Sequence, residues 1–131
     1  MKNKKILIID DSAPVRVLLK EWLQNESIEV IEESDGLMGY ERIRAIENEL
    51  DLIIVDVHMP VLDGISMLKM LKEHKFASGI PKIILTTEIS KSHKSDIKNE
   101  TENVRGLILK PVNKTIIENV IKKIDPDWDF N

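Results

Sequence analysis

Asp10, Asp11, Asp56, Thr86 and Lys110 are residue types that handle phosphate groups and metal ions, and each stands at the end of a short apolar run. Taken singly they have plainer readings. Asp10, Asp11 and Ser12 precede a helical stretch and can serve as N-caps, for which Asp and Ser are preferred. Asp56 can cap a loop, although it directly continues an apolar run, where a charge is costly unless paired. Thr86 suits any strand end, and Lys110 can be a solvated charge before the proline that stops a strand. Taken together they imply more. Three carboxylates brought to one place repel, and burial raises their pKa values unless a cation is present. Donors that are all oxygen, with no His or Cys cluster, favour Mg2+, with Mn2+ as a possible substitute. Lys110 adds a second positive charge, so three aspartates, one lysine and one divalent cation sum to a neutral site. An incoming phosphoryl group would then be met by the cation, Lys110 and the Thr86 hydroxyl.

Convergence of these residues requires a parallel sheet. Ile6–Ile9, Leu52–Val55, Ile83–Leu85 and Leu107–Leu109 are short apolar runs without polar alternation, which predicts strands buried on both faces. Ile28–Ile31, interrupted by Glu29, predicts a weaker strand. Between the runs, apolar residues recur at helical spacing: Val15, Leu18, Leu19, Trp22 and Leu23; Leu37, Tyr40, Ile43, Ile46 and Leu50; Ile65, Leu68 and Leu71; Ile116, Ile117, Val120, Ile121 and Ile124. From Lys91 to Asn103 only Ile97 is apolar, which predicts a short, polar, mobile fourth helix. Strands alternating with helices define βαβ units and an α/β fold. In such a sheet the carboxyl ends of all strands share one edge, where ligands bind. Met59, Met67 and Met70 are expected to pack rather than to react.

Composition narrows the functions. The 131 residues with 42% hydrophobic content suffice for one core and leave no room for a second domain. A net charge of -4 without an extended Lys/Arg block disfavours direct nucleic-acid binding. Absence of cysteine excludes disulfides, zinc-thiolate sites and thiol nucleophiles. No run is long enough to span a bilayer and the amino terminus has no signal-peptide pattern, so the expected location is the cytoplasm, with no membrane insertion. The domain is expected over residues 1–124, closed by Asp125-Pro126, with residues 125–131 as a short acidic tail. Met1 and that tail suggest a stand-alone protein.

Over Lys4 to Ile124 the sequence resembles the response-regulator receiver domains of two-component signalling. The likeness rests on Ile9-Asp10-Asp11-Ser12 with Arg16 downstream, Val55-Asp56-Val57-His58-Met59-Pro60 followed by Asp63-Gly64, Pro81 ahead of Ile83-Ile84-Leu85-Thr86-Thr87, and Leu109-Lys110-Pro111. It implies a flavodoxin-like (βα)5 doubly wound sandwich with strand order 2-1-3-4-5. It also implies that Asp56 takes a phosphoryl group from a sensor histidine kinase or histidine phosphotransfer protein. Asp11 would ligate Mg2+ directly, Asp10 mainly through water, and the His58 backbone carbonyl would join Asp56 in completing the set. Thr86 and Lys110 would contact the bound phosphoryl group, with Lys110-Pro111 in the cis form. Such a domain assists its own phosphorylation and dephosphorylation without turning over a separate substrate. It signals to a downstream protein partner as a monomer, with dimerisation open on phosphorylation. Leu107 departs from the aromatic residue often found there, and His58 and Glu88 stand where side chains commonly tune dephosphorylation.

Three rivals remain in view. A haloacid-dehalogenase-like phosphatase needs Asp-x-Asp at a strand end, and neither Asp10-Asp11-Ser12 nor Asp56-Val57-His58 supplies it. A flavin binder would not place two aspartates against the cofactor phosphate. An unphosphorylated pseudo-receiver, acting only as a protein-binding module, would not need the full residue set.

Overall fold

The computed structural model describes residues 3–131. Five strands, β1 (Lys4–Ile9), β2 (Ile28–Glu33), β3 (Leu52–Asp56), β4 (Lys82–Thr86) and β5 (Val104–Leu109), alternate with five helices, α1 (Ala13–Leu23), α2 (Gly36–Ile46), α3 (Gly64–Glu73), α4 (Lys91–Glu100) and α5 (Lys114–Ile124). The strands form one parallel sheet in the order β2-β1-β3-β4-β5, the expected flavodoxin-like arrangement.

Successive strand side chains point to opposite faces, and the apolar residues of the central strands therefore feed two cores. Leu7, Ile9, Ile53, Val55 and Ile84 meet Tyr40, Ile43, Met67, Leu68 and Leu71 on the α2 and α3 side. Ile6, Ile8, Leu52, Ile54, Ile83 and Leu85 meet Leu19, Leu23, Ile117 and Ile121 on the α1 and α5 side. Burial on both faces is why these strands lack polar alternation, and why they hold the sheet edge in place. Each helix begins at a side-chain cap: Ser12, Asp35, Asp63, Ser90 and Asn113 accept the backbone N–H of Val15, Met38, Ser66, His93 and Ile116. Met67 is fully buried, and Met59 and Met70 pack against the same core.

The structure corrects four sequence expectations. β5 is not buried on both faces: Leu107 is 36% and Leu109 56% exposed, because β5 is the sheet edge and α4, which buries no residue of its own, covers it poorly. The period from Leu37 to Leu50 is not one helix, since α2 ends at Ile46 and a 3-10 turn over Glu47–Glu49 carries Leu50 into the core. β2 continues past Ile31 to Glu33. The residues set apart as an acidic tail are docked: Trp128 is 3% exposed in the α1 and α5 core, stacked on Phe130 and covered by the Lys4 ammonium 4.7 Å from its ring centre.

Lys82, 2% exposed at the start of β4, is a buried cation whose Nζ donates to the carbonyls of Ala77 (2.7 Å) and Ile80 (2.9 Å). Burial pulls its pKa from 10.5 to about 8. Between these values the unfolded chain holds the proton more tightly than the folded one, so stability rises with pH through this window, and the burial cost is complete below it. The neutral amine still donates to both carbonyls. Lys82→Met removes this dependence: its advantage over the wild type in urea unfolding should shrink by about 2 kcal/mol between pH 8 and pH 10. A difference that stays flat across that range would contradict the assignment.

Candidate functional site

Strand register decides which side chains meet. Ile9 pairs with Val55, so Asp10 and Asp56 follow at the same level on adjacent strands. Asp56 pairs with Leu85, placing Thr86 one residue further out, and Thr86 pairs with Leu109, which sets Lys110 just beyond the edge of β5. Lys110 reaches back across this stagger, and its Nζ lies 2.9 Å from Asp10 Oδ2 and 3.3 Å from Asp56 Oδ2. Asp10, Asp56 and Thr86 are buried, while Asp11 is exposed at the mouth.

Local bonds fix the ends of the strands. The Asp10 N–H donates to Glu33 O at 3.1 Å, its carbonyl accepts from Arg16 Nη1, and its Oδ1 accepts the Ser12 N–H at 2.9 Å. Arg16 is held in turn by Glu32 at 3.3 Å. The Val57 N–H donates to Leu85 O, the Gly64 N–H to Val57 O, and the Lys110 N–H to Thr86 O. Gly64 is required where it is, because a Cβ there would collide with the Asp56 carbonyl, so α3 begins in contact with the chain at Asp56. Lys110-Pro111 is cis, as expected.

The electrostatics are unbalanced. Burial raises the pKa of Asp56, the Asp10 charge raises it further, and Lys110 opposes both. Burial works to lower the Lys110 pKa, but the Asp10 and Asp56 carboxylates raise it overall. Carboxylate oxygens of Asp10, Asp11 and Asp56 all lie within 4.8 Å of one another, the only such cluster among the described residues. Asp10 Oδ2 is shielded from solvent and, although within ion-pair reach of Lys110, accepts no well-directed hydrogen bond. A buried acceptor left over in an all-oxygen cluster fits a hard divalent cation such as Mg2+.

Of the remaining sequence candidates, Thr86 is close by but turned away: its Oγ1 donates to Glu88 O at 2.7 Å and accepts the Glu88 N–H at 3.3 Å. The Glu88 side chain is exposed. His58, exposed two residues after Asp56, faces His93 of α4 rather than the carboxylates. Leu107 lies beside Ile84 at the sheet edge. Sequence reasoning assigned no task to Arg16, although an arginine one turn after an N-cap is placed to reach the preceding strand end. It passed over Lys82 and His93, which have no local pattern to mark them.

Asp56 stability should carry this imbalance. Its raised pKa means that the ionised carboxylate opposes folding above that pKa, and the penalty fades as pH falls toward the usual 3.8. In metal-free buffer Asp56→Asn should stabilise the fold at pH 7 by on the order of 1 kcal/mol, with the gain vanishing near pH 4. Millimolar Mg2+ should raise the melting temperature of the wild type more than that of the variant. Equal responses in both proteins would remove Asp56 from the cation site.

Comparison with known proteins gives consistent results. The family described as response regulator receiver domain matches residues 6–122. Transcriptional regulatory protein SrrA of Staphylococcus aureus is 41% identical over 86 residues, covering 66% of this chain and 34% of SrrA, so the match spans about a third of that curated relative. Among solved structures, the Vibrio cholerae chemotaxis protein CheY4 is 28% identical with a TM-score of 0.81, over 93% of this chain and 98% of that one. A CheY-like receiver domain protein from Methanospirillum hungatei JF-1 is 28% identical with a TM-score of 0.78, over 95% of each chain.

Proposed function

The chain belongs to the response regulator receiver domain family, and on that premise we propose that it is a phosphoacceptor in which Asp56 takes a phosphoryl group from a phosphohistidine donor. The observation that carries this reading is the clustering of the Asp10, Asp11 and Asp56 carboxylates within 4.8 Å, with the Lys110 ammonium 3.3 Å from Asp56. In the transfer an Asp56 oxygen forms the new P–O bond as the P–N bond to the donor imidazole breaks. Little covalent machinery is needed, because positioning and charge neutralisation do most of the work. Asp10, Asp11, Asp56 and the His58 carbonyl would hold Mg2+, which supplies charge neutralisation for the phosphoryl oxygens. Lys110, already between two of the carboxylates, stays to pair with the product. The same site assists hydrolysis of the phosphoaspartate, with no separate substrate turned over.

Switching follows from Thr86. Its hydroxyl is spent on the Glu88 backbone, and to meet a phosphoryl oxygen it must release the turn that leads to the cap of α4 at Ser90. The signal then leaves through contacts with a downstream protein at α4, β5 and α5, where Leu107, Leu109 and Ile116 are exposed. Among the described residues no helix is long and apolar enough to cross a membrane, which agrees with action in the cytoplasm beside a histidine kinase or phosphotransfer protein.

Incubation with acetyl phosphate and Mg2+ should add one phosphoryl mass, and Asp56→Asn should abolish it. Asp11→Ala should suppress labelling at low Mg2+. Labelling of the Asp56 variant equal to wild type would sink the assignment, and an unlabelled wild type would favour a pseudo-receiver that only binds proteins. The switching step has its own test. Thr86→Ala and Lys110→Ala should still label, but backbone NMR shifts in α4 should respond less to phosphorylation than in the wild type. A full α4 response in both variants would detach these residues from the switch.

A further inference from the structure

The chain between Asp56 and α3 carries one backbone outlier. Val61 has a φ of 71°, a region where a β-branched residue is rarely found. The Leu62 N–H donates to the Pro60 carbonyl at 2.8 Å across it, which closes a three-residue turn of the rare, strained kind with a positive φ at its centre. The Val61 side chain is 76% exposed, so its own packing does not offset the strain. Such a conformation persists only where the surroundings over-determine it.

The surroundings act from both sides. Towards α3, the Gly64 N–H donates to the Val57 carbonyl at 2.9 Å, and Gly64 lies against the Asp56 carbonyl with no room for a Cβ. Towards α2, Gly36 in the first turn lies so close to Leu62 that a Cβ there would collide with the Leu62 carbonyl oxygen. α2 cannot back away at no cost, because Gly39, one turn on, is seated on the Ile9 side chain and Tyr40 and Ile43 are buried behind it. Met59 and Leu62 pack half-buried against the same core. Residues 57–64 are thus gripped between the first turns of two helices, and the His58 carbonyl rides on that segment.

We propose that Gly36 and Val61, neither of which offers a side-chain ligand atom, are positioning residues that set the metal preference of the acidic cluster by fixing the His58 carbonyl. The inference rests on the reading of Asp10, Asp11, Asp56 and that carbonyl as an Mg2+ site. Mg2+ demands near-ideal octahedral geometry with bonds of about 2.0–2.1 Å, whereas Ca2+ accepts flexible geometry at about 2.3–2.6 Å. A ligand held still therefore favours Mg2+, and a ligand displaced or set loose costs Mg2+ more than Ca2+. Gly36 acts by leaving space for the Leu62 carbonyl. Val61 acts by stiffness, since glycine at the same φ would be unstrained and would admit many other backbone states.

The test is a backbone NMR titration with Mg2+ and, separately, with Ca2+, following the amides of Asp10, Asp11 and Ser12 and of residues 57–59. Gly36→Ala should weaken Mg2+ binding by about tenfold, the lower end of what outer partners of metal ligands are worth, and Ca2+ binding by clearly less. Val61→Gly should lower the preference for Mg2+ in the same way while its melting temperature stays at or above that of the wild type. A merely structural role would not separate affinity from stability, nor one cation from the other. Met38→Ala, in the same turn of α2 with its side chain exposed, should change neither affinity. Because Val61 is exposed, its variant decides the matter even if Gly36→Ala fails to fold. Unchanged Mg2+ affinity in the folded variants, or equal losses for both cations, overturns the inference and leaves the Mg2+ site standing. A wild type whose Asp10, Asp11 and Ser12 amides ignore Mg2+ removes the site and the inference together.

Discussion

Asp10 and Asp56 emerge side by side from two adjacent buried strands, and their mutual repulsion is the constraint around which the molecule is arranged. Two unit charges about 5 Å apart repel by about 3 kcal/mol at an effective dielectric near 20. A flexible support would let them drift apart. β1 and β3 do not allow this, because each is packed on both faces and hydrogen-bonded on both sides. Lys110 meets part of the repulsion from the opposite side, and the Arg16 contact to the Asp10 carbonyl keeps the end of β1 in register. The sheet thus holds a deficit of positive charge that a cation or an electrophile can relieve.

Rigidity is unevenly distributed, and the distribution matches the task. α1, α2, α3 and α5 each bury apolar residues against the sheet. α4 buries none fully: only Ile97 packs, half-buried, against the core, and the rest of its attachment runs through Lys69 to Asp96 and Glu100 and through Lys72 to the Asn99 carbonyl. Exposed ion pairs of this kind contribute little and weaken with salt. Elements that move are drawn from the least stable parts of a fold, and α4 follows directly from the turn in which Thr86 is engaged.

Much of this was legible in the sequence for a simple reason. A parallel sheet collects the carboxyl ends of its strands, so Asp10, Asp56, Thr86 and Lys110 could be grouped once the apolar runs were recognised. Side-chain direction was less legible. Nothing in the sequence says that the Thr86 hydroxyl turns toward Glu88, since a local backbone bond competes with the longer reach to the site. Leu107-Ile108-Leu109 reads like any buried strand, because exposure at a sheet edge depends on what covers it. Residues 125–131 were misjudged for a different reason: Asp125, Asp127 and Asp129 drew attention to charge, while Trp128 and Phe130 between them carried the packing.

The clasp formed by those last aromatics joins the two extremes of the described chain. Lys4 contacts the Trp128 ring and pairs with Asp125 at 3.7 Å, and Asn25 donates to the Asp129 carbonyl at 2.9 Å. All of this lies where the strands begin, a full sheet length from the aspartates. Between Lys4 and Trp128 the described backbone thus returns on itself. A short peptide could join its extremes there without crossing the reactive edge, and a new opening cut in an exposed loop such as Ser78-Gly79 would give a circularly permuted protein with the same sheet and the same cluster of acids.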